Sequence, residues 1–318
     1  MEIEIKALLA GFVGTIILGF IIIPILKKLH IGQVVRDDGP KEHLKKAGTP
    51  TMGGIIMLIV MLVASIAIST KYPKVLPVAL VTLGYGIIGF IDDFIKLVLK
   101  NSKGLKPAYK MLGLIIVAVA FMVYLVHINY GTETYIPILK EYIELPEWLY
   151  IAGSVFVILA CTNSLNLTDG LDGLAASVTT IIMIFFTCIS IIYGNKEMGG
   201  FSGLITGCTL GFLLFNWKKA KVFMGDTGSL ALGGAFSSVA IMLKMPLILI
   251  VVAGICVIEA LSVILQVVYF KATNGKRIFK MAPIHHHLEL SGVNETTIVL
   301  AFTGITMLLA FLAYKMIV

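Results

Sequence analysis

Residues 7–26, ALLAGFVGTIILGFIIIPIL, form a run of twenty without a charged side chain. As a helix rising 1.5 Å per residue, such a run reaches about 30 Å, the thickness of a bilayer's hydrocarbon core. No basic segment precedes it and no A-x-A cleavage site follows it, so it reads as a retained helix rather than a signal peptide.

The rest of the 318 residues repeats this pattern. Apolar types make up 58% and charged types 14%, against about 25% charged in soluble domains, and the mean hydropathy is +0.99. Too little polar surface exists to clothe a water-soluble body, so most of the exterior must face lipid. Disorder fails on hydrophobicity, and a β-barrel fails because the runs are not alternating segments of about ten residues. Cys161, Cys188, Cys208 and Cys256 lie in or beside apolar runs without CxxC spacing and read as small hydrophobes. Ten runs read as transmembrane helices, near 5–26, 52–70, 75–95, 111–129, 148–162, 174–193, 200–216, 229–243, 247–270 and 296–315. The expectation is an all-α polytopic membrane protein of about ten transmembrane helices, one integral membrane domain over 1–318. No Gly-xxx-Gly stripe stands out as an interface between copies.

A net charge of +7 would suit a nucleic-acid partner only on a folded soluble face, and here it sits between apolar runs. If the helices alternate, 18 of the 25 Lys and Arg residues fall in the connections after the first, third, fifth, seventh and ninth spans. The positive-inside rule then places those connections in the cytoplasm and both termini outside. The acidic segment 129–147 fits an outer loop, with a small hairpin around Tyr135 and Tyr142.

Nearly all the unusual polar sequence lies on that same cytoplasmic side, which is where an active site is expected. It comprises Gly48-Thr-Pro-Thr-Met-Gly-Gly54, Asp92-Asp93, Asn163 to Gly173, Phe223-Met-Gly-Asp-Thr-Gly228 and Pro283-Ile-His-His-His-Leu-Glu289. Asp92 and Asp93 end a span, where ionising two adjacent carboxylates favours a cation, unless this is a solvated helix end with Lys96 neutralising one of them. Asp169 or Asp172 could cap the next helix. Two carboxylates and two carboxamides within ten residues, with Gly170 and Gly173 admitting close approach, look more like a polar-ligand site. Asp226 alone would read as a cap. Together the five acids call for a divalent cation, and oxygen-only donors favour Mg²⁺ or Mn²⁺ over zinc. That points to phosphoryl transfer.

The consecutive His285, His286 and His287 diverge too much to share one metal ion, and one or two of them suit a phosphate or sugar instead. Glu259 is ionisable in mid-span, and Gln266 lies seven residues on, along the same helical face. Lys45 and Lys46, before the Gly- and Thr-rich stretch, read equally as a phosphate contact or a basic anchor.

These motifs, in this order and over essentially the whole chain, resemble the MraY phospho-N-acetylmuramoyl-pentapeptide transferases, within the polyprenyl-phosphate N-acetylhexosamine-1-phosphate transferase superfamily. The resemblance implies transfer of phospho-MurNAc-pentapeptide from UDP-MurNAc-pentapeptide to undecaprenyl phosphate in the bacterial cell membrane, giving lipid I and UMP, with Mg²⁺. It assigns Asp226, with Asn166 nearby, to Mg²⁺, and Asp92, with Asp93 beside it, to deprotonation of the lipid phosphate. It assigns Asp169, Gly170, Leu171 and Asp172 to uridine, with Phe223 stacking on the base. Lys46, Thr51, Gln266, His285 and His286 become further nucleotide and sugar contacts. A homodimer stays open. The rival readings are a related enzyme using UDP-GlcNAc, against which Pro283–Glu289 argues, and an ion-coupled transporter, which would spread polar residues through the spans and onto both faces.

Overall fold

The computed structural model describes residues 1–29, 48–99 and 104–318. Among these, ten long helices and two short ones follow in order: α1 (Glu2–Lys28), α2 (Gly54–Ser69), α3 (Val75–Leu97), α4 (Pro107–His127), α5 (Glu147–Thr168), α6 (Leu174–Ile192), α7 (Lys196–Asn216), α8 (Gly225–Met242), α9 (Leu249–Val252), α10 (Gly254–Ala272), α11 (Ile284–Glu289) and α12 (Glu295–Ile317). Eight of the long ones are long and apolar enough to cross a membrane. The other two are α2, only 16 residues long, and α8, whose Gly- and Ser-rich sequence is explained by its place. Every residue of α8 from Thr227 to Met242 is buried, so it faces other helices rather than lipid. It is the axis of the bundle, packed against α3, α5, α2, α6 and α7.

The structure corrects the expected boundaries in two places that matter for chemistry. The fifth helix continues to Thr168, so Asn163 and Asn166 stand on a helix and not in the connection. The span expected at 247–270 is broken: a 3₁₀ turn over Pro246–Ile248 and the single turn α9 precede α10. A Gly stripe also has a use that the sequence reading did not give it. Gly203, Gly207 and Gly211 of α7 lie against the α1 backbone at Glu4, Leu8 and Phe12, forming a seam inside the chain.

The hairpin is present, with β1 (Glu133–Ile136) antiparallel to β2 (Glu141–Glu144) and Tyr135 opposite Tyr142. It is tied to the end of α8 by Lys244. The backbone carbonyl of Lys244 accepts from Tyr135 N at 2.7 Å. Its Nζ donates to the carbonyls of Tyr130 (2.8 Å) and Gly131 (2.6 Å) and pairs with Glu133 at 3.2 Å. Lys244→Met leaves two carbonyls and a carboxylate without that donor. It is expected to cost about 1–3 kcal/mol, seen as a lower thermal midpoint in detergent and faster proteolysis at the hairpin. The 18 residues of α8 span about 27 Å, so this knot lies a membrane's thickness from the other end of α8, where the acids gather.

Candidate active site

The start of α8 is held by an acid from another helix. Asp93, on α3, accepts from Asp226 N (3.2 Å), Thr227 N (2.9 Å) and Thr227 Oγ1 (2.6 Å). Helix-start N–H groups need such an acceptor, and Met224 at the N-cap position supplies none. Gly225 makes the approach feasible: its φ of +73° suits glycine, and a Cβ there would stand 2.7 Å from Asp93 Oδ2 and 3.0 Å from Thr51 Oγ1. The backbones of the flanking loops are also paired. Phe223 N donates to Pro50 O (2.8 Å), Gly53 N to Phe223 O (2.9 Å) and Gly54 N to Met224 O (2.9 Å). Thr51 is buried in this junction and the Phe223 ring is half-buried beside it.

Asp92 points the other way, as adjacent helical residues must. Its Oδ1 accepts from Leu105 N at 2.7 Å. Its Oδ2 faces Lys96 Nζ (2.9 Å) and Lys110 Nζ (3.1 Å). Both ammonium groups also reach Asp226 Oδ2, at 3.0 Å and 2.8 Å. Asp226 Oδ1 accepts from Asn166 Nδ2 (2.8 Å), which also donates to Ser229 Oγ (2.9 Å). Two carboxylates from different helices thus share two cations at one end of α8, and Asp92 is only 2% exposed. The second role open to Lys96, neutralising an acid, is the one seen here. Lys110 is a residue the sequence reading passed over as a topogenic charge, because a lysine in the first turn of an apolar helix has that explanation ready.

The loop from Asp169 to Gly173 runs beside this cluster. Burial, together with the charges of Asp226, Asp93 and Asp172, raises the Asp169 carboxyl well above the usual carboxylate range. Leu171 is buried. Asp172 is turned toward the far side of the loop: its N donates to Glu295 Oε1 (2.8 Å) and its Oδ2 accepts from Ala220 N (3.0 Å). Asn216 holds the next residue, accepting from Gly173 N at 3.1 Å. Neither Asn216 nor Glu295 carried any signal in the sequence.

Three of the expected contact residues have partners within the protein. Gln266 Oε1 accepts from Ile278 N and Phe279 N, each at 3.0 Å, and its Nε2 donates to Phe279 O, so it pins the loop after α10. His286 lies 2.8 Å from Glu289. His285 is fully buried, with Nδ1 3.0 Å from Glu259 Oε1. The three histidines diverge as expected, for His287 Nδ1 accepts from Lys280 N. Lys46 lies outside the described residues.

Two ammonium groups between two carboxylates mark a point that demands positive charge, and the neighbouring donors are hard oxygens and a carboxamide. That chemistry fits Mg²⁺. Among the described residues no three His, Cys, Asp or Glu side chains gather to hold an ion, so an ion here would depend on one or two protein carboxylates and on a substrate's phosphates.

The apolar helices and the lysine-bridged acid pair at one end of α8 define a polytopic helical membrane protein with a charged candidate site. The profile of the family described as Glycosyl transferase family 4 matches residues 75–244. That range carries Asp92, Asp93, Lys96, Lys110, Asn166, Asp169 and Asp226 and stops short of Gln266 and His285. The phospho-N-acetylmuramoyl-pentapeptide-transferase of Acetivibrio thermocellus is 52% identical over 96% of this chain and 92% of its own length. Those of Caldicellulosiruptor bescii and Clostridium acetobutylicum are each 47% identical, over 98% and 99% of this chain and 97% and 99% of their own. The chain belongs to the phospho-N-acetylmuramoyl-pentapeptide transferase family.

Proposed function

We propose that the protein transfers phospho-MurNAc-pentapeptide from UDP-MurNAc-pentapeptide to undecaprenyl phosphate, releasing UMP and leaving lipid I in the membrane. The observation that carries the site assignment is the sharing of Lys96 and Lys110 by Asp92 and Asp226. It sets positive charge and an anionic base within one hydrogen-bonded group at the end of the bundle, where a soluble diphosphate and a lipid phosphate can meet.

Asp226 would hold Mg²⁺, with Asn166, whose carboxamide nitrogen donates to Asp226 Oδ1, beside it. A bound Mg²⁺ would supply neutralisation of the diphosphate charge, which eases departure of UMP. Lys96 and Lys110 draw the phosphates in and balance charge that develops between the two acids. Asp92, released as both Lys96 and Lys110 turn from its Oδ2 to the phosphates, takes the proton of the lipid phosphate, and direct attack expels UMP without a covalent intermediate. Asp93 keeps Asp226 in place through the α8 backbone. Asp169 to Asp172, with Phe223, receives the uridine. Thr51, Lys46, His285, His286 and Gln266 complete the nucleotide and sugar contacts, Gln266 after giving up the 278–279 backbone.

The distribution of Lys and Arg supports a cytoplasmic position for this end of the bundle, with both termini outside. A basic inner face also draws anionic substrates to the membrane surface.

The test is purified protein in detergent with defined UDP-MurNAc-pentapeptide and undecaprenyl phosphate, with and without Mg²⁺. UMP release that requires both substrates and the ion is expected. Release with UDP-GlcNAc and none with UDP-MurNAc-pentapeptide would defeat the donor assignment.

A further inference from the structure

Glu259 is fully buried in the second turn of α10, and His285 is fully buried in the first turn of α11. Their contact is a single one, Nδ1 to Oε1 at 3.0 Å. Among the described residues Glu259 Oε2 and His285 Nε2 have no hydrogen-bond partner. A buried polar pair with both outer atoms unmatched carries a penalty, so the arrangement calls for an account beyond packing. The outer nitrogen is not aimed at random. Nε2 lies against the Cα of Gly170, in the direction a Cβ would take, and a side chain there would collide with Nε2 and Cε1 of the ring. The pair thus links α10, α11 and the Asp169–Asp172 loop.

The identity of the proton on His285 follows from these contacts. A carboxylate beside Nδ1 is matched by an N–H there, which leaves Nε2 with a lone pair. A lone pair tolerates a Cα–H in front of it, whereas an N–H pointed at a Cα–H would be an orphaned donor, the rarer and costlier state.

We propose that Glu259 is a positioning residue that fixes His285 as the Nδ1–H tautomer, so that Nε2 faces the Gly170 loop as an acceptor. Gly170 covers Nε2, so the donor substrate reaches it only when the Asp169–Asp172 loop shifts; the group it then receives is a hydroxyl or N–H of the sugar or nucleoside, and not a phosphate oxygen, which has no proton to give. This rests on the assignment of Asp169–Asp172 to the nucleotide.

The test uses the full chain, ¹⁵N-labelled at histidine, with the His285 signal identified by its loss in His285→Gln. The wild type is expected to show a pyrrole-type Nδ1 and a pyridine-type Nε2. Glu259→Gln keeps the side chain's volume but can donate as well as accept, so a population with Nε2–H is expected. In that variant the KM for UDP-MurNAc-pentapeptide should rise about tenfold or more, the effect of losing a carboxylate that orients a working histidine. The KM for undecaprenyl phosphate and the thermal midpoint should hold. A protonated Nε2 in the wild type, or an unchanged donor KM in Glu259→Gln, overturns the proposal. Wild-type protein that releases no UMP from UDP-MurNAc-pentapeptide defeats the functional reading instead, and the nitrogen spectrum then still decides the tautomer.

Discussion

Asp226→Asn is expected to lower kcat for UMP release by about a hundred- to a thousandfold, with membrane insertion and thermal midpoint retained. Among the described residues, the Asp226 carboxylate is the only one that meets both lysines and Asn166 at once. The amide keeps the size and can still accept hydrogen bonds, but it removes the charge that holds a cation and answers the two ammonium groups. Folding is spared for a local reason: Asp93 grips the start of α8 through the backbone N–H groups of residues 226 and 227 and the Thr227 hydroxyl, none of which depends on the Asp226 side chain. The decisive measurement is kcat at saturating substrates and Mg²⁺, beside a melting curve of the same preparation. A variant with wild-type, Mg²⁺-dependent turnover removes Asp226 from its role.

Gly89→Ala should cost about a hundredfold in kcat through position alone. Gly89 sits on α3 where that helix meets the first turn of α8, and an added Cβ would strike the carbonyl of Asp226 and stand 2.6 Å from Thr227 N. Those are backbone atoms, so relief requires moving the turn that carries Asp226 away from α3 and loosening its hold on Asp93. The overpacking itself is worth about 1–3 kcal/mol, so the melting curve should fall while the protein stays folded. Gly84→Ala, on the same helix, is the control. There the atoms nearest the new Cβ are those of the Val117 side chain, the closest at 3.1 Å, which a rotamer shift can accommodate. Equal kcat in Gly89→Ala and wild type would show that the α3–α8 approach does not set the geometry of the site.

How much of this was legible in the chain can be seen residue by residue. The apolar runs named the helices because lipid demands that every backbone group be satisfied within its own segment. The hairpin at 133–144 was visible from its apolar-turn-apolar pattern around Tyr135 and Tyr142. Asp92, Asp93, Asn166, Asp169 and Asp226 stood out because acids and carboxamides are costly at a membrane face and have few bland explanations there. Lys110, Asn216 and Glu295 did not stand out, since each has an ordinary reason to sit at a helix end. The break before α10 was hidden as well, because Pro246 and Gly254 lie within an uninterrupted apolar run.

The amino-acid order by itself pointed to a bundle of about ten membrane helices with its unusual acids gathered at one end, since hydrophobic length and the placement of charge are properties read along the chain. What only the tertiary structure decided is the division of labour among the acids. Neighbours in sequence, Asp92 and Asp93, face opposite ways, one to the lysines and one to the α8 backbone. Asp226, more than 130 residues from Asp92, shares its cations. Electrostatic partnership depends on distance through space, and that distance is set by how α3, α4, α5 and α8 pack together.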